Sequence, residues 1–167
     1  EQIVQSLAAT GASTLVVTAL DSIAWLCNFR GQDIDYNPVA ICYALITEDS
    51  TELFISTALT DEQAAYFKQQ KITISPYEAF GDRLNGLNTP AFVDTQTCNL
   101  WVTQQIPEKF IVYGTSPINL LKACKNSAEQ DGARQAHIFD AVAMVRFSRW
   151  LENNWDGHTE MSIADHL

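Results

Sequence analysis

Residues 39–47 (VAICYALIT) restrict most tightly what this chain can fold into. The run is β-branched, aromatic and aliphatic almost throughout, so it predicts a strand inside a sheet. A polar turn, Glu48-Asp49-Ser50, follows, and residues 51–56 return as a second strand. The pair predicts an antiparallel hairpin. Residues 13–18 (STLVVT) predict another buried strand, and residues 71–75, 91–94 and 109–113 three more. Helices are expected between them: 1–10 closed by Gly11, 22–28 capped by Asp21, and 61–70 capped by Asp61. Two more are expected at 77–84 after Pro76 and at 98–105 before Pro107. Strands alternating with helices give an α/β fold, a mixed sheet with helices on both faces.

The pattern changes after Gly114. Residues 118–125 and 127–153 read as helices, a further helix starts at Ser162, and no strand follows. A boundary is therefore expected near Gly114, with an α/β domain at 1–114 and a helical tail at 115–167. The long helix has two apolar stripes at 100° per residue. Ile138, Ala141, Val142 and Val145 form one; Phe139, Ala143, Phe147, Trp150 and Leu151 form the other. A helix apolar on two sides is normally packed between layers. The α/β body is expected to cover one stripe, leaving the other for a second subunit or more of the same polypeptide.

Twenty acids against ten bases give a net charge of −10. Such a balance repels phosphate backbones and anionic bilayers, so the expected partners include no nucleic acid and no membrane. No stretch approaches the ~18 apolar residues of a membrane span. The first residues contain neither Met nor a basic leader, which predicts a piece excised from a longer chain. Cys27, Cys42, Cys98 and Cys124 lie in apolar surroundings with no C-x-x-C spacing, which predicts buried free thiols in a reducing cytoplasm. His137, His158 and His166 have no zinc-ligand spacing. Asp140, three residues after His137, predicts a surface pair.

The densest polar cluster is the loop Asn28, Arg30, Asp33, Asp35, Tyr36, Asn37, punctuated by Gly31 and Pro38. It is the candidate binding segment. The competing expectation is structural: Asp and Asn satisfy turn backbone, and Arg30 pairs with an acid. No P-loop, G-x-G-x-x-G or G-x-S-x-G motif is present.

Two segments resemble a known family. Val17-Thr18-Ala19-Leu20-Asp21-Ser22-Ile23-Ala24-Trp25-Leu26-Cys27-Asn28-Phe29-Arg30-Gly31, continued by Asp33 and Asn37-Pro38-Val39, is similar to the pattern VTALDEIAWLxNLRGxDxxxNPV. Residues 122–152 (KACKNSAEQDGARQAHIFDAVAMVRFSRWLE), continued by Thr159-Glu160, Ser162 and Ala164-Asp165, resemble the helix that opens the catalytic domain in the same family. That family is the three-domain aminopeptidase P, or Xaa-Pro aminopeptidase, of the creatinase and prolidase "pita-bread" group. The resemblance implies a creatinase N-terminal domain with a ribonuclease-H-like sheet, here the middle domain, followed by the opening helices of the catalytic domain. It implies a cytoplasmic, homo-oligomeric parent that removes the residue preceding proline from peptide substrates. Two divalent metals, manganese in the usual case, would activate water there.

The family's metal ligands are two Asp, one His and two Glu, and the motif DSGxxYxxGTTDxTRT carries the aspartates. Nothing in this sequence matches it, so no catalytic and no metal residue is carried over. This part alone is expected to be inactive and to bind no metal. Asn28, Arg30, Asp33, Tyr36 and Asn37 are carried over as a loop at the active-site mouth. The family varies at Asp35 and Tyr36, which weakens a role for Tyr36. The alternatives are a stand-alone binding or scaffold module without catalysis, and a prolidase- or creatinase-type hydrolase.

Overall fold

The structure, a computed structural model, describes residues 2–167. It divides into two compact units, Glu1–Ala123 and Cys124–Leu167.

The first unit begins with helix α1 (Gln2–Ala8), which stops before Gly11, whose φ of +77° suits only glycine well. Then come β1 (Thr14–Val17), α2 (Leu20–Leu26), β2 (Cys42–Ile46), β3 (Thr51–Ile55), α3 (Asp61–Gln69) and β4 (Ile72–Pro76). A 3₁₀ turn leads into α4 (Phe80–Asn85), followed by β5 (Ala91–Asp94), α5 (Leu100–Gln105), β6 (Ile111–Gly114) and α6 (Pro117–Ala123).

The six strands form one sheet in the order β4-β3-β2-β1-β5-β6. Only β2 runs against its neighbours; β3–β4, β1–β5 and β5–β6 are parallel. The hairpin forms as expected, its turn closed by the Thr47 N–H on the Ser50 carbonyl at 2.8 Å.

Period-two alternation divides the strands between two cores. Leu15, Val17, Ala44, Leu53 and Phe92 face one side, where Ile3, Ile23, Phe67 and Ile118 of four helices cover them. Val16, Leu45, Phe54 and Val93 face the other, beneath Phe80 and Leu84 of α4 and Val102 of α5. Helices thus cover both faces. Central β1 and β5 are buried at every residue, which is why they read as unbroken apolar runs rather than as alternation.

The compact unit extends past Gly114 to Ala123. Helix α6 packs on α1 and α2, and its Ile118 is fully buried. Burying a side chain of that size stabilises by ~1.5–3 kcal/mol, so α6 is held by the same core as the sheet.

The second unit contains α7 (Ser127–Asn154) and α8 (Glu160–Ala164). Asn126 and Glu129 close a capping box at the start of α7, and Thr159 and Ser162 close another at α8. Within this unit, none of the α7 residues is buried. Ile138, Phe139, Val142 and Val145 are all exposed. Toward the end of the helix, the Trp150 ring stacks on His166 at 3.6 Å between centroids and meets His158 edge-on at 5.2 Å.

Candidate functional site: the loop after α2

The candidate loop starts where α2 ends. Asn28 adopts φ +49°, the left-handed conformation that terminates helices. Its N–H donates to Trp25, and the Phe29 N–H reaches back to Ala24 at 3.1 Å, a Schellman closure. Arg30 reinforces that end. Its Nη1 donates to the Ala24 carbonyl at 3.2 Å and the Phe29 carbonyl at 2.8 Å. A cation at a helix C-terminus is favourable, and the expected pairing of Arg30 with an acid is replaced by this carbonyl contact.

The loop then folds back on itself. The Gly31 N–H donates to Pro38, and the Asp33 N–H donates to Val39. A Cβ on Gly31 would lie 2.7 Å from both the Cβ and the backbone nitrogen of Ala40, so only glycine lets the two arms close. Asp33 Oδ2 accepts the Ile41 N–H at 2.8 Å. This side-chain bond occupies the backbone just before β2 and explains why the strand starts at Cys42 rather than Val39. At the tip, Ile34 and Asn37 form an isolated bridge, with the Asn37 N–H on the Ile34 carbonyl at 3.2 Å. Tyr36 takes φ +61° in that turn, a position that favours Gly or Asn, and its side chain is fully exposed.

The five predicted residues therefore share one loop with distinct tasks. Asn28, Arg30 and Asp33 shape the backbone, while Tyr36 and Asn37 form the tip. A cavity of about 1020 Å³ opens beside them. Its other wall, Glu62, Gln63, Tyr66 and Phe67 of α3, was not anticipated from sequence. No local signal links residues 62–67 to residues 28–38; the nearest cue is the adjacent aromatic pair Tyr66-Phe67 in a helix with polar residues at both ends. Phe29 meets Phe67 edge-on at 5.4 Å between centroids, giving the cavity an aromatic floor. Asp35 and Glu62 supply carboxylates at its rim.

Elsewhere, Asp21 does not cap α2, whose N-cap is Ala19. Its carboxyl pairs instead with Lys122, and that hydrogen bond holds Asp21 below the usual carboxylate range. His137 bonds to the Ala133 carbonyl. Among the described residues no three His, Cys, Asp or Glu side chains come together as a metal-holding group. The residues present do not fit a di-nuclear centre.

A family model described as the creatinase/prolidase N-terminal domain matches residues 1–129. The chain belongs to the creatinase/prolidase N-terminal domain family. The expected family and fold both hold. Within the family, the chain is 41% identical to the Probable Xaa-Pro aminopeptidase P of Laccaria bicolor, over 93% of this chain and 26% of that protein. It is 36% identical to Xaa-Pro aminopeptidase ApepP of Drosophila melanogaster, over 98% of this chain and 28% of the relative. The crystal structure of X-prolyl aminopeptidase from Caenorhabditis elegans, described as a cytosolic enzyme with a di-nuclear active site, superposes with a TM-score of 0.84 at 29% identity. That match covers 97% of this chain and 28% of the worm enzyme. This creatinase/prolidase N-terminal domain chain thus spans about a quarter of the length of the relatives it matches.

Proposed function

We propose that this chain is the non-catalytic middle domain, with the opening helices of the catalytic domain, of a metal-dependent Xaa-Pro aminopeptidase. The observation that carries the proposal is the match of nearly the whole chain to about a quarter of several Xaa-Pro aminopeptidases. The parent hydrolyses the bond between an N-terminal residue and proline. Two divalent ions, manganese by resemblance, supply an activated water in the parent. Their ligands are assigned to polypeptide other than the residues described here, since the sequence lacks the family's aspartate motif. We place the start of catalytic-domain sequence near residue 115, dividing the chain into 1–114 and 115–167, while α6 packs with the preceding unit.

This chain contributes a wall. The loop bearing Asn28, Arg30, Asp33, Tyr36 and Asn37 lines the active-site mouth, held stiffly by its own hydrogen bonds. A rigid wall positions peptide at little entropic cost. The parent is a cytoplasmic homo-oligomer that does not act on nucleic acid or membranes. The worm relative's cytosolic description supports the compartment.

The test compares the full-length parent with the 167-residue chain, each supplied with manganese and an Ala-Pro-Ala peptide. Release of alanine by the parent and none by this chain is the expected result. Turnover by this chain, or a parent inert toward every Xaa-Pro peptide, overturns the proposal.

A further inference from the structure

The sheet ends at β4, which hydrogen-bonds to β3 and to no other strand. Such an edge carries a row of backbone N–H and C=O groups able to pair with an incoming chain. A groove of about 750 Å³ runs along it, lined by all five residues of β4 and by Leu59, Lys68 and Lys71. Ile72 and Ile74 pack toward the core at its base. No acid lines this groove, on a chain whose net charge is −10. Lys68 and Lys71 take part in no ion pair among the described residues.

We infer that β4 and this groove are a docking edge for an extended acidic segment of a partner protein, which adds to the sheet as a seventh strand. Main-chain bonds to β4 give the affinity, and alternate side chains of the segment lie over the groove. The two lysines select the partner. Lys68 of α3 and Lys71, just before β4, flank the groove rather than sit on the strand, so they favour acids on an incoming segment and disfavour bases. A second copy of this chain is a poor occupant, because its own β4 edge offers the same two lysines and no acid, and so lacks the opposite charge. Pro76 lacks an N–H, so pairing runs out at the end of β4 and the bound segment is short.

The probes are two peptides, acetyl-Val-Glu-Val-Glu-Val-amide and acetyl-Val-Lys-Val-Lys-Val-amide, titrated into the 167-residue chain with amide exchange followed residue by residue. The acidic peptide is expected to slow exchange at residues 72–75 and to bind at least about five-fold more tightly than the lysine peptide at low salt. That preference should shrink as salt rises toward ~0.5 M. The double variant K68E/K71E should reverse it while leaving exchange in β1 unchanged, which shows the fold intact. Equal binding of the two peptides, or protection away from residues 72–75, overturns the inference. So does protection that appears without peptide and grows with protein concentration, since a second copy would then be the occupant.

Discussion

The Tyr66 hydroxyl sits 3.1 Å from the carbonyl oxygens of both Cys27 and Asn28, and so ties α3 to the point where α2 turns into the candidate loop. The bond joins residues 38 and 39 positions apart, and it satisfies carbonyls at the end of a helix that has no further turn to use them. Tyr66→Phe keeps the ring contact with Phe67 and removes only the donor. The loss should be about 1 kcal/mol, the net value of one such hydrogen bond. Urea unfolding measures it, and amide exchange should speed up first at residues 28–31. Unaltered exchange there would mean the loop is anchored by Arg30 and Asp33 alone.

Tyr36 combines a left-handed backbone with a fully exposed side chain, a pairing that packing does not require. A non-glycine residue in this conformation costs roughly 1–2 kcal/mol. Tyr36→Gly should therefore raise stability by about 0.5–1 kcal/mol, after the added freedom of glycine in the unfolded chain is offset. In the full-length parent the same change should raise KM for Xaa-Pro peptides if the tip touches substrate. Higher melting temperature with unchanged kinetics would place Tyr36 outside the mouth.

The strands were legible because each depends on local composition: VAICYALIT and AFVD have no other comfortable environment than a sheet interior. Their ends were less so, since side chains distant in sequence compete for the backbone. Asp33 withdraws Ile41 from the ladder, and no pattern within residues 39–47 announces it. Helix starts were misplaced for a different reason. Thr60-x-x-Gln63 caps α3, one residue before the expected Asp61, and Asn99 caps α5. Both signals stand in the sequence, whereas acids in a first turn are favoured by the dipole without being caps. The loop half of the candidate site could be found from its polar density. The α3 half could not, because only folding brings Tyr66 and Phe67 to it.

The four cysteines divide by environment rather than sharing the burial expected of them. Cys27 and Cys42 are buried, Cys98 is half-buried and Cys124 is exposed. Burial pushes the thiols of Cys27 and Cys98 up to about 11 and that of Cys42 up to about 12. Iodoacetamide should label Cys124 first and reach Cys27 and Cys42 only on unfolding, as mass spectrometry of timed quenches would reveal. The raised values also set a pH dependence. In the folded chain these thiols keep their protons where the unfolded chain has lost them. Stability from this source is complete below about pH 8.5–9 and declines as pH climbs through 9 to 12. Urea midpoints at pH 8 and pH 10 should differ, and Cys42→Ala should reduce the difference. An equal decline in the variant would assign it to other groups.

Several features within the second unit favour helix α7: Ala133, Ala136, Ala141 and Ala143 are strong helix formers, and the Asn126–Glu129 box starts it. Its apolar side chains are then left over. Ile138, Phe139, Val142 and Val145 stay 44–72% exposed on one helix, leaving large apolar side chains of both stripes in water. In the parent, catalytic-domain polypeptide or a second subunit is the proposed cover. Alone, the chain should self-associate. Light scattering at about 0.2 mM should give a mass above the 18.6 kDa of one chain. Phe139→Glu with Val145→Glu should return it to that mass without loss of helicity, because both positions are exposed and glutamate is a good helix former. A monomer at every concentration, with no binding of a hydrophobic dye, would show that the stripes need no partner.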